Sequence, residues 1–198
     1  FNRWGYANVN RTGETKVLRG KKATRIAMSL GSTTNVGTSV YALISYGANN
    51  TNEIWGTGNN DYGQQARSDT SVDSSVPTHM TDGANGWNQA SFGNPVDIWA
   101  TGGSYGRIWA LTQTGKMYAC GYNAHGQLGI GNTTSNITAW TLVKDWGTVG
   151  GIKKFATSGN QYNVCAVVAG NGTLWTWGEN AAGALGQVPL SFLGIRRA

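Results

Sequence analysis

The chain has 198 residues, enough for one or two domains with a buried core, and a formal net charge of +6 with a pI near 9.5. Only 12% of its residues are charged, against roughly 25% in an average domain, while it holds 30 glycines and 9 tryptophans. That shortage of charge excludes long helices with solvated, salt-bridged faces, and the composition favours many short strands joined by Gly- and Asn-rich turns.

The first 22 residues read as a partial repeat unit with a basic segment. Arg3, Arg11, Lys16, Arg19, Lys21, Lys22 and Arg25 crowd the start of the chain, opposed only by Glu14. Such a patch suits an acidic neighbouring subunit or a solvated edge. Nucleic acid is disfavoured because no aromatic stacking pattern or helical basic stripe accompanies the charge. No apolar run approaches the ~20 residues of a membrane-spanning helix, and no signal-peptide pattern opens the chain. Because it opens on Phe1, inside a unit, the chain reads as a piece of a longer array.

The next unit (23–80) holds strands at RIAMS (25–29) and VYALIS (40–45), then an insertion from Gly47 to Asn52. The run IWGTGNNDYGQQ (54–65) follows, with a fourth strand at VPTHM (76–80), where Pro77 suits a strand start or an edge. The order recurs in 81–143: IWATG (98–102), IWALTQ (108–113), YACGYNAHGQLG (118–129) and AWTLV (139–143). It recurs again in 144–198: KFATS (154–158), VCAVVA (164–169), a two-residue hairpin signal at Asn171-Gly172, and WTWGENAAGALG (175–186). Ala42, Ala110 and Ala166 stand at the centre of the second strands and suggest close sheet packing at one depth of each unit.

The shared signature is Gly-x-Asn-x-x-Gly: Gly58, Asn60, Gly63; Gly121, Asn123, Gly126; Gly178, Asn180, Gly183. Its first glycines are 63 and 57 residues apart. Glycine permits positive φ in a tight corner, and an Asn side chain can close the corner on the backbone. Four strands per unit and a period near 60 describe an all-β propeller of four-stranded antiparallel blades, about three of them plus part of a fourth. Trp55, Trp99, Trp109, Trp175 and Trp177 fall within strands, as residues that fill the space between blades.

At these residues a resemblance becomes specific. GYNAHGQLGIGNTT (121–134), preceded by a small-residue strand, resembles the signature of the regulator of chromosome condensation repeat family. The resemblance covers 23 to about 187, and Trp4-Gly5-Tyr6 is similar to a degraded further copy. Gln65 departs from the family's usual Leu, and Ala184 from its usual Gln. The resemblance implies a propeller, commonly of seven blades, to be completed by more of the same chain or by another copy.

The residues do not assemble chemistry. His79 and His125 are the only histidines; His79 has Asp82 nearby but no nucleophile, and His125 shares a variable slot with Tyr62 and Ala182. Asp61, Asp69 and Asp73 read as loop residues rather than an acid/base pair. No metal cluster, phosphate loop or cofactor motif is present, so no catalytic residue, cofactor or metal is expected. Cys120 and Cys165 read as buried free thiols within apolar strands.

What remains is recognition by loops on a rigid β scaffold. Low charge and abundant Asn, Thr and Gly resemble bacteriophage fibre and decoration proteins and bacterial adhesins. The leading expectation is therefore a virion component at an extracellular surface, contacting a host glycan or protein through the loop aromatics Tyr62, Trp87, Tyr105 and Trp146. The alternatives are a structural subunit packed on other copies or virion proteins, and an intracellular regulator binding a small GTPase or chromatin.

Overall fold

The computed structural model describes residues 17–29, 38–45, 51–70, 73–80, 86–102, 105–159 and 164–186. The Trp4-Gly5-Tyr6 copy and most of the Gly47–Asn52 insertion lie outside these residues. Three antiparallel meander sheets follow one another. The first orders β1 (Lys22–Ser29), β2 (Ser39–Ser45), β3 (Asn52–Gly58) and β4 (Ser74–His79). The second orders β5 (Pro95–Thr101), β6 (Arg107–Thr112), β7 (Lys116–Tyr122) and β8 (Asn136–Asp145). The third holds β9 (Ile152–Thr157), β10 (Val164–Ala169) and β11 (Leu174–Gly178). A one-turn helix α1 (Gln89–Phe92) links the first two sheets, its first N–H groups accepted by the Asn88 side chain. Pro77 sits in the edge strand β4, where the ladder to β3 is interrupted beyond Gly56, so no backbone donor is missed.

The period of two along each strand decides which residues meet between sheets. The first sheet turns Tyr41, Leu43 and Ile54 toward the second, which answers with Ile98, Ile108, Ala110, Tyr118 and Cys120. The opposite face of the second sheet turns Trp109, Met117 and Ala119 toward Cys165, Val167 and Ala169 of the third. Trp109 is fully buried there, its indole N–H donating to Leu128 O at 3.4 Å. Truncating such a residue to Ala typically costs about 3–5 kcal/mol. Across the first junction, Asn52 spans two sheets: its N–H donates to Asn94 Oδ1 at 2.8 Å and its Nδ2 to Pro95 O at 2.7 Å.

Two local expectations need correction. Ala166 does not share the depth of Ala42 and Ala110. Val164 pairs with Gly178 as Arg107 pairs with Gly121 and Ser39 with Gly58, so Val167 is the counterpart of the two alanines. Ala166 instead matches Tyr41 and Trp109 on the opposite face, because one residue of offset reverses a strand's side chains. The Asn171-Gly172 turn is also not a two-residue hairpin, whose favoured types both need positive φ at the first central residue. Only Gly172 is left-handed (φ +89°), and Ala169 N–H donates to Thr173 O at 2.9 Å, so the turn takes one residue more.

The outward face of the first sheet exposes Ile26, Met28 and Val40, at 71%, 48% and 37%. By register these are the counterparts of Ile98, Ala100 and Ile108, which the second sheet packs against its neighbour. The repeat thus presents at its first blade the kind of surface that it covers at the second.

Candidate functional site

The signature asparagines build the corners. Asn123 is fully buried; its Nδ2 donates to Asn132 O at 3.0 Å and its Oδ1 accepts the Leu128 N–H at 2.9 Å. Asn60 repeats this with Asp69 O at 3.0 Å and the Gln65 N–H at 2.9 Å, and Asn180 with the Leu185 N–H at 3.0 Å. In each corner the glycine three residues on donates its N–H to the asparagine's own carbonyl. The carboxylates of Asp61, Asp69 and Asp73 are held by Asn59 and Asn60, so they brace the first corner.

The first two corners also anchor the next blade. The Gln64 carbonyl accepts from Tyr41 Oη at 3.2 Å and from the Cys120 thiol at 3.7 Å. The Gln127 carbonyl accepts from Trp177 Nε1 at 2.9 Å and from the Cys165 thiol at 3.5 Å. Both cysteines are free and buried. Burial pushes the Cys165 thiol up to about 12 and the Cys120 thiol well above the usual range, which suits packing rather than nucleophilic chemistry.

Gln65 is the weak point of the first corner. It is fully buried; its Nε2 reaches Asn59 O at 3.3 Å, while its Oε1 has no hydrogen-bond partner. Leu128 and Leu185 stand in its place in the other copies. The Gln65→Leu variant is expected to gain about 1 kcal/mol, since Asn59 O keeps the Ser39 hydroxyl at 2.9 Å. A melting temperature raised by about 3 °C checks this; a lowered one contradicts it.

On the corner side of the sheets, side chains from two blades converge at the surface. Tyr62 and His125 occupy the same slot of successive corners, each fixed by its N–H donating to the side-chain oxygen of Gln64 (3.0 Å) or Gln127 (2.8 Å). Tyr105 follows a turn closed by its N–H on Gly102 O at 2.8 Å, and Tyr122 ends β7. The three tyrosine rings, all half-buried, form a closed cluster with centroids 4.5–5.2 Å apart. His125 lies 6.4 Å from Tyr122 and pairs through Nδ1 with Glu179 Oε2 at 2.7 Å, carrying the stripe to the third corner. Beneath it, the buried Arg107 places its guanidinium 6.0 Å from the Tyr122 ring, and desolvation lowers its pKa to about 10. Burial first, then the neighbouring Tyr105 and Asp61, raises the Tyr62 hydroxyl above its ordinary value.

Of the four aromatics expected to contact a ligand, the structure brings Tyr62 and Tyr105 together and separates the other two. Trp87 is 2% exposed, donates Nε1 to Gly93 O at 3.0 Å and meets Phe92, Tyr118 and Trp140 edge-on. Trp146 is 1% exposed, packed with Trp175 and Trp177. Neither is available for sugar stacking; both are interior packing residues. Tyr122 and His125 complete the cluster, and the slot that His125 shares with Tyr62 was the signal in the sequence that could have found His125. His79 is taken up by Glu53 at 3.1 Å and a tilted contact with Trp55. Among the described residues no group of three metal-ligating side chains occurs, and no helix is long and apolar enough to cross a membrane.

No protein-family model matches the chain. The human E3 ubiquitin-protein ligase HERC2 is 41% identical over 81 residues, 40% of this chain and 2% of the ligase. The X-linked retinitis pigmentosa GTPase regulator of Canis lupus familiaris is 35% identical over 75 residues, 38% of this chain and 7% of that protein. Yeast RCC1 (Prp20), in its complex with Kap60, superposes with a TM-score of 0.57 at 19% identity, over 85% of this chain and 34% of the other. Prp20p from Saccharomyces cerevisiae, described with its binding properties to Gsp1p and histones, gives 0.54 at 20% identity, over 78% of this chain and 34% of the other. The chain therefore spans about a third of the solved propellers and under a tenth of these two relatives. Similar repeats in two relatives, and a fold shared with Prp20 over most of the chain, lead to one reading: the chain is a run of RCC-type repeats folded as blades of a β-propeller.

Proposed function

We propose that the chain is a non-catalytic protein-binding module of the regulator type, and that it engages its partner through the corner face centred on Tyr62, Tyr105 and Tyr122. The observation that carries this reading is the convergence of three half-buried tyrosines and His125 from two blades onto one surface. Aromatic residues held rigidly at a surface supply large contact area at little cost in side-chain entropy, and they are enriched among interface hot spots. Prp20p supports the class of partner, being described as binding Gsp1p and histones.

Purified Gsp1p and core histones are the probes. One of them is expected to bind, and Tyr62→Ala/Tyr105→Ala is expected to weaken it about tenfold or more. Lys154→Ala, on an exposed position of β9, should leave it unchanged. Equal affinity of the double variant would remove the face from the reading. The virion and host-glycan reading rests on composition alone, and none of the relatives named above supports it. Its distinguishing result is stoichiometric co-purification with a particle.

A further inference from the structure

Two carboxylates flank the tyrosine cluster, although the whole chain carries a net positive charge. Asp61 is exposed beside Tyr62, with Oδ2 held by Asn59 Nδ2 at 2.7 Å, and it lies close enough to act electrostatically on the Tyr62 hydroxyl. At the other end of the stripe Glu179 sits against His125 at 2.7 Å. Apart from the buried Arg107 beneath Tyr122, a second group of basic residues lies away from the cluster: Lys21, Lys22 and Arg25 lie on and beside β1, where Arg25 pairs with Asp97 and Lys21 covers the Trp55 ring. Between the two carboxylates are three aromatic rings, whose faces carry the negative end of the ring quadrupole. Tyr122 already meets a guanidinium from below, that of Arg107. Aromatic faces flanked by two carboxylates form a site for a cation, and a half-buried one excludes enough water for the attraction to count.

Building on the binding face proposed above, we propose that the Tyr62–Tyr105–Tyr122 cluster, flanked by Asp61 and Glu179, receives a cationic side chain of the partner, an arginine or lysine laid over the rings. The partner segment is then basic although the chain itself carries a net charge of +6. General electrostatic attraction therefore cannot produce the binding, and local recognition must.

The test uses a fluorescein-labelled nona-arginine peptide, read by anisotropy at moderate salt, with nona-glutamate as the control. Nona-arginine is expected to bind despite the net charge. Tyr62→Ala/Tyr105→Ala should weaken it about tenfold, and Asp61→Asn about threefold. Tyr62→Phe/Tyr105→Phe keeps the rings and should stay within about twofold, which separates a cation–π platform from hydroxyl contacts. Nona-glutamate, drawn to the basic strand β1, should respond to none of these changes. Melting temperatures of the variants confirm that each folds. Absence of nona-arginine binding, or binding that the double alanine variant leaves intact, overturns the proposal. If the alanine variant loses Gsp1p or histone binding while nona-arginine never binds, the face survives as an interface and the cationic ligand does not.

Discussion

Gly121→Ala is expected to lower the melting temperature by about 10 °C, a loss of about 4 kcal/mol. Gly121 ends the straight part of β7 with φ +111°, a region that a residue bearing a Cβ enters only at considerable cost. The added methyl group would also lie 2.3 Å from the Gly106 carbonyl oxygen and 2.9 Å from the Arg107 Cα, and both are backbone atoms. That carbonyl cannot easily retreat, because it accepts the Tyr122 N–H at 3.1 Å, and Arg107 beside it is buried on all sides. Gly58 repeats the arrangement, with φ +103° and a would-be methyl 2.2 Å from Thr38 O, so Gly58→Ala should cost a similar amount. Thermal unfolding followed by tryptophan fluorescence reads both. A fall of less than about 3 °C for either variant would mean that the corner relaxes without the crowding described. Because Tyr105 and Tyr122 flank the Gly121–Gly106 contact, Gly121→Ala should also weaken partner binding, whereas Gly58→Ala acts further from Tyr105 and Tyr122.

This sensitivity explains why the corners were legible in the sequence. A position that tolerates only glycine, or only a side chain that both donates and accepts, leaves its residue type in every copy, as Gly58, Gly121 and Gly178 do with Asn60, Asn123 and Asn180. Strand positions followed from the same anchor, since the strands of each blade are placed relative to its corner. Side-chain facing was less secure. Ala166 looks like Ala42 and Ala110 in the alignment of apolar runs, yet the pairing of Val164 with Gly178 puts it on the other face. A run such as VCAVVA is apolar at every position, so no alternation marks which residues turn inward.

The candidate site was half legible for a related reason. Tyr62 and Tyr105 are aromatic residues in polar loops, and so are Trp87 and Trp146; local sequence does not separate the two pairs. What separates them is remote. Trp87 is covered by Tyr118 of β7 and Trp140 of β8, and Trp146 by Trp175 and Trp177 of β11. Among the described aromatic residues, Tyr62 meets Tyr105 and Tyr122 from the next blade, and all three are half-buried. Burial of a loop side chain is thus decided by the neighbouring strands, and composition carries no record of them.

The second large effect distinguishes corners that share a sequence but not an environment. Asn123→Ala is expected to cost about 3 kcal/mol, a melting temperature lower by about 8 °C, while Asn180→Ala costs about 1 kcal/mol or less. Asn123 is fully buried, and its removal deletes the bonds from Nδ2 to Asn132 O and Thr134 O, at 3.0 and 3.3 Å. It also strands the N–H of the equally buried Leu128, which has Asn123 Oδ1 at 2.9 Å as its acceptor; an orphaned buried donor costs about 1–3 kcal/mol by itself. Asn180 holds the Leu185 N–H in the same way at 3.0 Å, but it is exposed, so water can replace the lost acceptor. Asn123→Asp serves as the control for direction. It keeps an acceptor for Leu128 but sets a carboxylate against the carbonyls of Asn132 and Thr134, so it should be no better tolerated than alanine. Equal losses at 123 and 180 would show that the corner bond, rather than its burial, sets the energy. A wide gap assigns the difference to the burial of Asn123 together with its bonds from Nδ2, because both side chains hold the corner N–H in the same way.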